Sequence, residues 1–142
     1  MYKQDAFYLG ESFHKVAADL IENNFLKDSD EGFWFVPSIV NMSFACELYL
    51  KSLCSDGESE IWGHWLNDLF NELSDEVKEK IRNSAPFRGD ERFESNLIEH
   101  GKLFETWRYC FEKEENCCVD VIFLENFAMV LHEIAKEELN HG

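Results

Sequence analysis

The stretch Pro37-Ser-Ile-Val-Asn-Met-Ser-Phe-Ala-Cys-Glu-Leu-Tyr-Leu-Lys-Ser-Leu53 decides the fold of this chain. At about 100° per residue, Ile39, Met42, Cys46, Tyr49, Leu50 and Leu53 form one wide apolar face. Val40 and Phe44 fall on the same flank as Glu47 and Lys51, so these charges emerge among hydrophobic neighbours. A helix that is apolar this far round sits at the centre of its domain, where an unpaired charge costs several kcal/mol. Glu47 and Lys51 are therefore expected to have partners.

On both sides of this segment the chain reads as further helices. The first is predicted from Lys3 to Leu26, with Ala6, Leu9, Phe13, Val16, Ala17, Leu20 and Ile21 on one side. Polar Lys27-Asp-Ser-Asp-Glu-Gly32 is a turn, and Pro37 suits the first turn of the central helix. After the break Ser55-Asp-Gly-Glu-Ser59, Gly63-His-Trp-Leu-Asn-Asp-Leu-Phe70 reads as a short helix. Ser74 caps a second short one, with Asp75 and Glu76 in its first turn. Beyond the loop Ala85-Pro-Phe-Arg-Gly89, Asp90 can cap a helical stretch from Glu91 to Glu114, bent or broken near Gly101. Leu103, Phe104, Trp107, Cys110 and Phe111 share one face of its second half. The last helix groups Phe123, Leu124, Phe127, Val130, Leu131, Ile134 and Ala135. No segment alternates as a strand does, and no repeat or linker divides the chain. The prediction is a single domain over residues 1–142, an all-α bundle of four principal helices plus two short helices.

Twenty-nine acidic residues against 13 basic ones give a net charge of −16. That balance opposes nonspecific binding to nucleic acid or anionic membrane, because phosphate binding rests on Lys and Arg. It suits a partner with a basic surface. The five cysteines (Cys46, Cys54, Cys110, Cys117 and Cys118) are odd in number and lack CxxC spacing, so neither a disulfide framework nor a metal site is indicated, and no cofactor is implied. Cys46 and Cys110 read as small core residues. No signal pattern and no long uncharged apolar run occurs, so a cytoplasmic protein without membrane contact is expected.

Among residues that can carry chemistry, Arg108 comes first. It stands at the edge of the apolar face around Trp107, within reach of Glu105 and Glu112 at i−3 and i+4, and it can cross to Glu47. A guanidinium binds a half-buried carboxylate bidentately, so Glu47, Lys51, Arg108 and Glu112 form a candidate polar cluster, structural or open to an anionic ligand. His64, after Gly63 at the start of a short helix, is a structural histidine or a general acid–base group near Arg108. His14, His100, His132 and His141 show no partner pattern in the sequence. Paired carboxylates are too frequent here to indicate catalysis, and no glycine-rich phosphate loop or nucleophile elbow occurs.

Ser43-Phe-Ala-Cys-Glu-Leu-Tyr-Leu-Lys-Ser-Leu53, Gly63-His-Trp-Leu-Asn-Asp-Leu-Phe70 and Phe104-Glu-Thr-Trp-Arg-Tyr109 with Glu112, in this order, resemble the HEPN (higher eukaryotes and prokaryotes nucleotide-binding) domains, specifically small prokaryotic members. The similarity spans Pro37 to Leu139. It implies a helical bundle that dimerises, found in defence and toxin–antitoxin systems. Many members are metal-independent ribonucleases with an R-x4–6-H motif, in which arginine holds phosphate and histidine assists the ribose 2′-hydroxyl. That motif is missing here: no histidine follows Arg108 before His132, Arg82 and Arg88 have none at suitable spacing, and seven residues separate Arg92 from His100.

The resemblance without the motif leads to the expectation of a noncatalytic HEPN-like domain that binds, as a homodimer or with another protein. One alternative is a divergent metal-independent ribonuclease using Arg108 with His64 or Tyr109, which alone would make RNA a partner. The other is an acidic immunity or antitoxin-like inhibitor of a basic protein.

Overall fold

The computed structural model describes residues 3–25, 34–54, 65–101 and 120–141. Among these residues there are six helices and no strand: α1 (Lys3–Phe25), α2 (Phe35–Leu53), α3 (Leu66–Asn71), α4 (Asp75–Arg82), α5 (Phe93–His100) and α6 (Val121–His141). The protein is an all-α helical bundle. Of the predicted helix from Glu91 to Glu114, α5 is the described part; residues 102–119 lie outside the described residues.

α2 is the axis of the bundle. Its predicted face is fully buried, and Ala45 and Leu48 on other sides are buried too. Ser38 and Ser52 are buried with it, and their hydroxyls donate to the carbonyls of Phe35 and Tyr49, each at 2.6 Å. Local bonds of this kind let an almost wholly buried helix keep hydroxyls without unsatisfied donors. Among the described helices, α1 makes the most extensive contact with α2, and α6 the next.

α1 is rotated relative to the predicted face. Leu9 and Val16, expected in the core, are 40% and 47% exposed. The buried edge runs through Ala6, Phe7, Gly10 and Ala17, with Phe13 and His14 partly buried. Gly10 sets this rotation: a Cβ there would meet two Tyr49 ring atoms at 2.9 Å. The missing side chain lets α1 settle onto α2 at that point.

α6 presents its predicted face as read, with all seven residues buried. Its start is capped by Asp120, whose Oδ1 accepts the Phe123 N–H at 3.0 Å. Ser74 caps α4 by accepting the Val77 N–H at 3.3 Å, and Asp90 accepts the Arg92 N–H at 2.9 Å ahead of α5. Phe70, Phe87, Phe93, Phe123 and Phe127 join α3, α5 and α6 in one aromatic cluster, its closest ring pair being Phe87–Phe93 at 4.8 Å. Among the described residues no helix is long and apolar enough to cross a membrane.

Filling the α1–α2 contact tests this packing. Gly10→Ala is expected to lower stability by about 1–3 kcal/mol, the range for overpacking a tight contact. Urea unfolding measures it, and an unchanged midpoint would mean that the Tyr49 ring yields without cost.

Candidate functional site

Of the predicted polar cluster, Glu47 and Lys51 are described. One turn apart on α2, they pair with Lys51 Nζ 3.0 Å from Glu47 Oε1. The glutamate side chain is 5% exposed and the lysine 28%, so the pair leads from the core to the surface. Arg108, Glu112, His64 and Tyr109 lie outside the described residues. Cys46 is buried, and its thiol donates to the Leu124 carbonyl at 3.9 Å. Burial pushes the Cys46 thiol far up and lifts that of Cys54 to about 11, with nearby Glu72 adding to the latter. Both are protonated, unreactive core thiols.

The structure unites histidines for which the sequence offered no partners. Tyr49 of α2 is fully buried, and its hydroxyl lies 2.9 Å from Nδ1 of His14 on α1. His132 of α6 stacks on Phe7, with ring centroids 5.4 Å apart. It donates from Nε2 to Glu11 Oε2 at 2.8 Å. The His14 and His132 rings are 6.1 Å apart, and that of Tyr49 is 5.6 Å from His132. Desolvation lowers the His14 pKa, His132 lowers it further, and Glu11 partly opposes them. Burial, with Glu11 adding to it, raises the Tyr49 phenol. A neutral His14 thus accepts from a neutral Tyr49 hydroxyl. Three helices are tied together here by polar groups one hydrogen bond deep. The signal present in the sequence was the i, i+3 spacing of Glu11 and His14 on one helix face; the partners 35 and 121 residues away left none.

The second cluster borders a cavity of about 940 Å³ between the C-terminal half of α1, the start of α2, α5 and the start of α6. Its apolar wall holds Ile21, Trp34, Phe35, Val121 and Ile122. Arg92, Asn96 and His100 line it from α5 and its leading residue. His100 is 1% exposed and has both ring nitrogens occupied. Nε2 accepts the Asp120 N–H at 2.8 Å, so Nδ1 carries the proton and donates to the Asn96 carbonyl at 2.7 Å. This neutral imidazole clasps the end of α5 to the start of α6, leaving no nitrogen for proton transfer. Gly101 follows it because a Cβ there would collide with the Asn67 side-chain oxygen.

Among the described residues, no three His, Cys, Asp or Glu side chains are grouped to hold a metal ion. The molecule is thus a helical bundle with a sizeable, mostly apolar cavity, a buried His100 with both ring nitrogens bonded, and a His14–Tyr49–His132–Glu11 cluster joining three helices. Comparisons with protein-family models, with curated proteins and with solved structures find no match.

Two substitutions test these assignments. Glu47→Ala is expected to cost about 2 kcal/mol in chemical denaturation, below the range for a sealed ion pair because Lys51 can turn to water. A stability unchanged by that substitution would remove Glu47 from the structural framework. For His14, the lowered pKa means that the unfolded chain binds the extra proton first, beginning around the ordinary histidine value of 6.5. Its contribution is complete above that value and is lost as pH falls through the depressed folded value. Melting temperatures of the protein and of His14→Gln, compared from about pH 7.5 to 5.5, should therefore converge on acidification. A constant difference would contradict the neutral assignment.

Proposed function

We propose that this chain is a noncatalytic, HEPN-like binding domain of a prokaryotic defence or toxin–antitoxin system, acting in the cytoplasm. It works as a homodimer or with a partner of basic surface. The observation that carries the binding reading is the cavity of about 940 Å³, at the upper end of the size range of small-molecule sites. Its apolar wall beside a few polar groups is the make-up of a binding site rather than of a filled core. An all-α bundle is the fold class that the resemblance implies. His100, with both ring nitrogens bonded, has none left for the proton transfer that a nuclease would need.

Two assays address this function. RNA incubated with the protein in EDTA should stay intact; cleavage abolished by both Arg108→Ala and His64→Ala would establish a ribonuclease instead. The neutral apolar dye Nile red should bind at one site per chain, and the filling substitution Val121→Trp should abolish that binding while helix content by circular dichroism is retained. Dye binding that ignores Val121→Trp would detach the binding role from the cavity.

A further inference from the structure

Trp34 and Phe35 meet as a corner in the cavity wall, with ring centroids 5.9 Å apart and planes at 89°. Each aromatic face carries the negative part of a quadrupole, and two rings set at right angles can present such faces to one guest. Carboxylates surround the same space: Glu22 from α1, Glu99 from α5, and Asp120 and Glu125 at the start of α6. Against these four, Arg92 is the one cationic side chain among the described lining residues. His100 adds no positive charge, because its Nε2 accepts the Asp120 amide proton.

From this arrangement we infer that the cavity selects an organic cation, an ammonium carried on an apolar body. The inference rests on the binding role proposed for this cavity and names its ligand class. The ammonium sits against the aromatic corner, where cation–π attraction grows as water is excluded. The carboxylates supply the opposing charge, partly screened because Glu22, Glu99 and Asp120 are exposed. The apolar body covers Ile21, Val121 and Ile122, the last 72% exposed and otherwise open to water. A phosphate or nucleotide meets the opposite field: among the described lining residues, one guanidinium cannot offset four carboxylates around a low-dielectric wall. A neutral apolar molecule gains the burial without the electrostatic part.

Calorimetric titration with three probes of equal chain length separates these cases: hexyltrimethylammonium, hexan-1-ol and hexane-1-sulfonate. The cation should bind about tenfold more tightly than the alcohol, and the sulfonate most weakly. Added salt should weaken the cation and leave the alcohol unchanged. Glu22→Gln, on the exposed rim, should reduce cation affinity a few-fold without affecting the alcohol, and Trp34→Leu should remove most of the cation's advantage. Equal binding of cation and alcohol, or preference for the sulfonate, would overturn the cation assignment while leaving the cavity a binding site. Failure of all three probes to bind would overturn both readings.

Discussion

The burial of Tyr49 is the constraint on which the bundle depends. Its ring is sealed under Gly10, its hydroxyl meets His14, and Phe7 and His132 pack around it. A phenol removed from water needs a hydrogen-bond partner, and a half-buried imidazole needs one as well; each satisfies the other. Because His14, Tyr49 and His132 come from α1, α2 and α6, the hydrogen bond and the ring contacts among them fix how α1 turns on α2 and where α6 meets both. The exposure of Leu9 and Val16 follows directly. A bundle ordered only by apolar area would have turned α1 to bury them, but that rotation would move Gly10 from the tyrosine and His14 from its donor.

The two histidine clusters use the same side chain for opposite hydrogen-bonding purposes. His132 donates from Nε2 to an acidic partner at a partly open edge. His100 is enclosed and receives a backbone N–H, which requires one nitrogen bare and the ring neutral. It performs for the α5–α6 junction what Asp120 performs for the start of α6, completing a backbone hydrogen bond that the helix end itself leaves open. An imidazole used in this way is a structural element, and its place in the cavity wall carries no acid–base consequence.

How much was legible follows from how local each signal is. The buried faces of α2 and α6 could be read directly, since dense apolar residues at helical spacing leave a single orientation. The cap at Ser74 is legible for the same reason, acting within three residues, whereas Asp90 closes a turn onto the Arg92 N–H and α5 starts at Phe93 with no side-chain cap. The face of α1 was misread because a glycine and a histidine, which score as neither apolar nor helix-favouring, decide its orientation through contacts with Tyr49. Read from the sequence, Glu47 and Lys51 point to partners elsewhere in the chain, although each has the other one turn away; Glu11 and His132 are 121 residues apart and meet only through the fold. The cavity had no sequence signature at all, since its walls come from four separate elements.

The distribution of charge connects these observations to the cavity. A net charge of −16 raises self-repulsion across the whole surface, and a compact fold must place that charge where water screens it. Most carboxylates achieve this on open helix faces, some with local cations, as Glu94 does with Arg82 and Glu138 with Lys80. Those lining the cavity are water-screened on one side, as the exposure of Glu22, Glu99 and Asp120 shows, while the apolar wall on the other strengthens their field within the cavity. Repulsion among Glu22, Glu99, Asp120 and Glu125 is then highest when the cavity holds only water and falls when a positive group enters. The same excess of acid that argues against phosphate binding at the surface thus makes this cavity's electrostatics favour a cation.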